Sequence, residues 1–233
     1  MRAIKPAVFV GASRRDIQAF PPAVRRVIGQ ALFEAQLGGH PSRAKPLKGF
    51  GSGVLEIRDN DDGGAYRAVY TVRFEGILYV LHTFQKKSTR GIASPQRYLD
   101  LIRQRLRQGG HSPGEKRSRA MKKKKLPAFE VGSGNIFADL GLPNAEEHLL
   151  KASVVVQLHR LIKARKLTQT AAAKIAGIKQ PDLSNILRGH FQGFSLERLM
   201  RMLTAFDQDI EITVRPRKKK GGTGAITFNA AAA

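Results

Sequence analysis

Cysteine is absent from all 233 residues. Its absence removes thiolate catalysis and cysteine-ligated zinc from consideration, and it suits a reducing, cytoplasmic setting. Long apolar runs are missing too. None approaches the ~20 residues that span a bilayer. The opening MRAIKPAVFVGASRRDI has too short an apolar core for a secretory leader. No long amphipathic basic helix offers itself to an anionic membrane surface. Acidic residues are scarce: Asp and Glu total 18 against 41 Lys and Arg, a net charge of +23. Residues 1–120 hold 22 basic and 9 acidic residues and residues 121–233 hold 19 and 9, so the excess is not one sticky tail. Charge of this size on folded segments points to a polyanionic partner, with nucleic acid first. A hydrophobic content of 42% is enough for buried cores.

Residues 109–125, GGHSPGEKRSRAMKKKK, lack apolar periodicity and consist almost wholly of Gly, Ser, Pro and charge. That composition predicts a flexible basic linker. Met121 and its four lysines read like the start of a second protein, and the pattern of elements changes there. Four segments are therefore expected: a domain over 1–108, the linker, a second domain over 126–216 and a basic tail over 217–233.

The fold class expected is α+β: a small antiparallel sheet with packed helices, then a mostly α unit closed by a C-terminal strand. In the first half, Val24, Val27, Ile28, Ala31, Leu32 and Ala35 recur at helical spacing up to Gly38-Gly39. Strands are expected over 53–58, 65–74 and 77–87, rich in β-branched and aromatic residues, and a helix over 94–108. In the second half a helix over 144–166 is followed by three short helices. DIEITVRP (209–216) then alternates as a strand.

LTQTAAAKIAGIKQPDLSNILRG (167–189) is the strongest motif. Thr168 caps a helix, Ala172 and Ala173 allow close helix contact, and Gly177 permits a tight turn. Pro181 suits the first turn of the next helix. There Leu183, Ile186 and Leu187 fall on one face, and Pro181, Ser184, Asn185 and Arg188 on the opposite one. An apolar back with a polar front is what a recognition helix needs. Asn185 could address adenine, and Arg188 guanine or phosphate. Lys179 and Gln180 stand at the helix N-terminus, where backbone N–H groups favour phosphate, and Gln169 opens the preceding helix. This region resembles the XRE-type helix-turn-helix family from about Asn135 to Pro216, and its flanks are similar to HigA-type antitoxins. The resemblance implies a dimeric operator-binding protein that represses its own operon. Lys179-Gln180 departs from the Ser or Thr cap more usual before that proline.

The first half offers no Ser-His-Asp spacing. DNDDGG fails as a calcium loop because its twelfth position is Tyr70 rather than Glu. GFGSG (49–53) lacks the helix and Lys of a phosphate loop. Neither a metal nor a cofactor is expected. Strand alternation sets Tyr66, Ala68 and Tyr70 on one face and Arg67 on the other, with His82 and Lys86 on one side of the next strand and Lys87 alternating with them. Lys48 precedes the second strand and Arg58 ends it. Cationic side chains without a carboxylate cluster can serve a metal-free ribonuclease, in which the RNA 2′-OH is the nucleophile. The same residues can equally form a face for binding alone.

GGAYRAVYTVRFEGILYVLHTFQKKSTRGIASPQRYLDLIRQRL, with LKGFGSGVLEIR upstream, resembles the phage-derived HigB branch of the RelE-type toxins over about residues 5–108. The resemblance implies cleavage of ribosome-bound messenger RNA. It puts Arg67, Lys86 and Lys87 first at the active site, then Arg58 and Lys48, with His82 and a core-facing Tyr70 behind them. Toxin first and antitoxin second is the order of HigB/HigA pairs. The expectation is a toxin and its antitoxin on one chain, the toxin inhibited in the fusion and the pair assembling as a homodimer on operator DNA. The alternative is a helix-turn-helix regulator whose RelE-like half is an inert interaction module.

Overall fold

The computed structural model describes residues 4–51, 53–61, 64–74, 76–86, 96–109, 129–216 and 226–230. The element order is β1 (Ala7–Val10), α1 (Ser13–Gln18), α2 (Pro22–Gln36), β2 (Ala44–Pro46), β3 (Val54–Asp61), β4 (Gly64–Thr71), β5 (Leu78–Lys86) and α3 (Gln96–Gly109). Then come β6 (Phe129–Val131), α4 (Ile136–Asp139), α5 (Ala145–Ala164), α6 (Gln169–Ile175), α7 (Gln180–Leu187) and α8 (Leu196–Thr204). Two compact units divide between Ala145 and Glu146. Residues 110–125, all but the first residue of the expected linker, lie outside the described residues. The division thus falls twenty residues beyond the expected start of the second domain. Residues 129–145 belong to the first unit.

That unit is built on a six-stranded sheet of order β2-β3-β4-β5-β1-β6. Its pairs are antiparallel except β1 with β5, so the sheet expected to be antiparallel is mixed. β4 stops at Thr71 rather than reaching Phe74, after a register shift between Val69 and Tyr70. α1 and α2 cover one face. α3 covers the other, over a core that includes Val8, Val54, Val69, Tyr79, Leu81, Phe84 and Ile102.

The six apolar residues expected on one side of α2 are all buried. Gly29 and Phe33 on its other side are buried as well. The reason is residues 129–145. The Phe137 ring meets Phe33 at a tilt with centroids 5.8 Å apart, and a Cβ at Gly29 would stand 3.0 Å from the Phe137 ring. Arg25 donates to the Leu140 and Gly141 carbonyls at 2.8 and 2.7 Å. Arg14 pairs with the buried Asp139 at 3.0 Å, and Gln18 donates to the Asp139 carbonyl at 2.9 Å. β6 meanwhile extends the sheet along β1. A glycine inside a helix costs about 0.5–1 kcal/mol relative to alanine; here it allows the close approach of Phe137.

The second unit is helical. Val154, Val155, Leu158 and Ile162 of α5 are buried, with Phe191 and Phe206. Thr168 caps α6 as expected, its hydroxyl accepting the Ala171 N–H at 3.2 Å, and Ser195 caps α8 in the same way. Gly177 turns the chain at φ +66° between α6 and α7. Lys179 occupies the cap position of α7 without a side-chain hydrogen bond, and Pro181 supplies the fixed first turn. The C-terminal strand expected over 209–216 does not form: the segment pairs with no strand among the described residues, and 211–216 are exposed. Alternation is present there, but a strand also needs a neighbour for its backbone groups. Among the described residues no helix is long and apolar enough to cross a membrane.

Candidate functional site

Antiparallel pairing of β3 with β4 sets Arg58 directly opposite Arg67, and pairing of β4 with β5 sets Arg67 opposite Phe84 and Ala65 opposite Lys86. Paired residues share a face of the sheet, so Arg58, Arg67 and Lys86 lie together on the face that α3 covers. Two like charges held opposite each other repel. Glu56, two residues before Arg58 on the same face, offsets this: its carboxylate meets the Arg58 Nε, and the Arg67 Nε stands 3.7 Å from its other oxygen. Its side chain is 2% exposed, against 41% for Arg58 and 16% for Arg67. Burial lowers the Arg67 guanidinium from its ordinary value, Glu56 pulls the other way, and Arg58 adds to the lowering. The cationic face was read from sequence as free of carboxylates; the structure puts one at its centre. Period-two alternation from Arg58 back to Glu56 was the signal that could have found it.

An aromatic platform adjoins these cations. The Tyr98 ring of α3 leans on Phe84 with centroids 4.4 Å apart, and Arg97 lies over the Tyr98 ring at 4.8 Å. A guanidinium pair, an ammonium and an adjoining aromatic ring are what a phosphodiester with its flanking base would engage.

Lys48 and Tyr70 fall elsewhere, and His82 is buried against the aromatic platform. Lys48 is exposed at the opposite end of β3, where the Leu47 N–H donates to the Val54 carbonyl. Four residues of strand, about 13 Å, separate Val54 from Arg58. Tyr70 is fully buried on the α2 side, as expected. Burial, with Glu34 near it, raises its phenol above the ordinary value. His82 is buried between Phe84 and Tyr98, with Nδ1 3.3 Å from the Arg105 guanidinium. Arg105 also donates to the Leu81 carbonyl at 2.7 Å. Burial, then the Arg105 charge, pushes the imidazole down to about 4. Lys87 lies outside the described residues. Residues 129–145 extend the sheet along β1 and pack on the helical layer of α1 and α2, while Phe129 reaches the α3 side of the sheet against Tyr79.

In the second unit, α7 buries Leu183 and Ile186 and leaves Ser184, Asn185 and Arg188 half-buried on its other side. These three are joined: the Arg188 guanidinium donates to the Ser184 carbonyl at 3.1 Å and to the Asn185 side-chain oxygen. Gln180 donates to Gln169 at 3.0 Å, so both helix entries are tied side chain to side chain. Lys179 shares a shallow hollow with Lys174, Asp182 and Arg198. The arrangement offers outward amide and guanidinium donors for base edges and ammonium groups for phosphates.

Residues 15–107 match the family described as phage-derived protein Gp49-like, and residues 136–215 match a helix-turn-helix domain. A solved structure named "Putative XRE Family Transcriptional Regulator" is 39% identical over 38% of this chain and 100% of its own, with a TM-score of 0.36. No curated protein matches. The first half of the chain is thus similar to a phage-derived Gp49-like domain, and the second half carries a helix-turn-helix domain.

Proposed function

We propose that this chain unites a ribonuclease toxin and its DNA-binding antitoxin, a HigB/HigA-like pair on one polypeptide acting in the cytoplasm. The observation that carries the reading is the cluster of Arg58, Arg67 and Lys86 on one sheet face, with Glu56 between the two arginines. The substrate is ribosome-bound messenger RNA. Its 2′-OH attacks the adjacent phosphorus, the P–O5′ bond breaks, and the departing 5′ oxygen takes up a proton. A 2′,3′-cyclic phosphate and a 5′-OH result. No metal is required, because the guanidiniums stabilise the charge that grows on the phosphorane oxygens. Glu56 positions both arginines. The second unit binds a palindromic operator as a homodimer through Ser184, Asn185 and Arg188 and represses its own operon, with Gln169, Lys179 and Gln180 at the flanking backbone.

The test is incubation with translating ribosomes and a message, with and without EDTA. Fragments 1–108 and 1–145 are compared with the full chain, because 129–145 packs on α2. Cleavage by 1–145, resistant to EDTA and abolished by Arg67→Ala, is expected, with the full chain quieter. EDTA-sensitive cleavage, or full activity without Arg67, refutes the mechanism. Equal activity of the full chain and 1–145 refutes neutralisation by the second unit. Arg188→Ala should weaken operator binding by roughly 1–3 kcal/mol, with a smaller loss on random DNA.

A second reading is a helix-turn-helix regulator whose first unit is an inert interaction module. The observation favouring it is that Arg67 is 16% exposed and paired with Glu56. Operator binding without cleavage by any fragment would establish it.

A further inference from the structure

The Tyr98 ring adjoins the guanidinium cluster, yet it is not the surface that solvent meets. Phe84 stands directly opposite Arg67 in the sheet and is buried. Tyr98 lies on it with centroids 4.4 Å apart and planes 32° from parallel, and is half-buried. His82 closes on the same ring at 5.1 Å. Arg97 then covers Tyr98: its guanidinium carbon stands over the ring at 4.8 Å, and its Nη2 donates to the phenol oxygen at 3.1 Å. Arg97 itself is exposed. The outermost layer beside Arg67 is therefore a guanidinium laid on an aromatic stack.

Neither helix stability nor an ion pair accounts for an arginine there. It sits in the first turn of α3, where the helix dipole disfavours a cation. Among the described residues it joins no carboxylate, and Asp100, one turn on, is engaged by Arg103 at 2.8 Å and Gln96 at 3.1 Å. What the contacts do supply is orientation. The ring fixes one face of the guanidinium plane, the phenol oxygen fixes one of its N–H groups, and the opposite face turns outwards.

We propose that Arg97 is the stacking surface for one nucleobase of the RNA strand, next to the phosphodiester held by Arg58, Arg67 and Lys86. Unstacked bases of single-stranded RNA are laid on planar side chains, guanidinium included. The stack of Phe84, Tyr98, Arg97 and base rises beside Arg67, so the base belongs to a nucleotide flanking the scissile phosphate. Stacking makes no use of base edges, so Arg97 positions that nucleotide without selecting its identity. A lysine would keep the charge and lose the plane. The inference rests on the ribonuclease reading for its purpose, though its binding test does not.

The test measures binding of the full-length chain to a noncleavable 2′-O-methyl tetranucleotide, with each base in turn replaced by an abasic residue. The unaltered chain, Arg97→Lys and Arg97→Ala are compared, and the second unit contributes the same background to all three. In the unaltered chain, loss of the base at one position should weaken binding roughly tenfold, as expected for one base stacked on a planar side chain. Both variants should bind the intact tetranucleotide roughly tenfold more weakly and should no longer sense that abasic position. The proposal is overturned if Arg97→Lys binds as tightly as the unaltered chain, since charge alone then suffices. It is equally overturned if the unaltered chain does not bind, or if the abasic loss is absent or the same in all three proteins. Coupled binding with no cleavage by any fragment on translating ribosomes refutes the ribonuclease reading and leaves the stack standing. Cleavage undiminished by Arg97→Lys overturns the stack and leaves the ribonuclease reading standing.

Discussion

Acidification should destabilise the first unit through one buried imidazole, that of His82. The ring lies between Phe84 and Tyr98, its Nδ1 faces the Arg105 guanidinium, and its Nε2 has no hydrogen-bond partner among the described residues. A proton added there would create a second positive charge beside Arg105 in a poorly solvated place. The folded value of about 4 therefore lies below the ordinary 6.5. For a group depressed on folding, the stabilisation is complete above the unfolded value and is lost as pH falls towards the folded one. The whole interval corresponds to roughly 3 kcal/mol, of which about 2 kcal/mol should be gone by pH 5. Two measurements check this on the full chain. The His82 ring resonance, assigned by its disappearance in His82→Gln, should titrate near 4 by NMR. Urea unfolding of the first unit at pH 7 and pH 5 should show the unaltered chain losing about 2 kcal/mol more than His82→Gln. A ring that titrates near 6.5, or equal losses in the two proteins, refutes the reasoning. The same value leaves His82 neutral at pH 7, so His82→Gln should leave the pH profile of cleavage around neutrality unchanged.

Asp139→Asn should release β6 and α4 by about 3 kcal/mol, since the buried carboxylate accepts from Arg14 and the Ser133 N–H. Faster amide exchange in 129–142, with α6 to α8 unaffected, is the expected signature. Gly29→Val should loosen the same segment because the added atoms meet the Phe137 ring; an unchanged or stabilised α2 would mean the close approach is not what retains the glycine. Thr168→Ala should lower the stability of the helix-turn-helix unit by about 1 kcal/mol in chemical unfolding. No change would show that the Ala171 N–H finds water at no cost.

Much of the helical content was legible because helical burial is written in spacing. The six buried residues of α2, the Thr168 cap, the Gly177 turn and the Leu183–Ile186 back of α7 depend on residues a few positions apart. The alternation that set Arg67 opposite in face to Tyr66 and Tyr70 also held, although the register shifts after Val69 and β4 ends at Thr71. Alternation could say that Arg58, Arg67 and Lys86 were able to share a face. Only the pairing of three strands brought them together, and only the same pairing left Lys48 at the far end of β3.

What the sequence by itself determined is the set of elements and the chemistry they carry: an α+β half, a helical half and a strong excess of positive charge. The tertiary structure decided the rest. Residues 129–145 join the first unit because Gly29, Arg14 and Arg25, more than a hundred positions away, present a gap and donors that Phe137, Asp139 and Leu140 fill. The His82 imidazole is pushed down because α3 buries it under Tyr98 and brings the Arg105 charge beside it. The segment 209–216 alternates like a strand, yet among the described residues no neighbour stands beside it to take its backbone hydrogen bonds. Local propensity can be read along the chain, but contact energy depends on which distant residues arrive beside one another, and that is settled by folding.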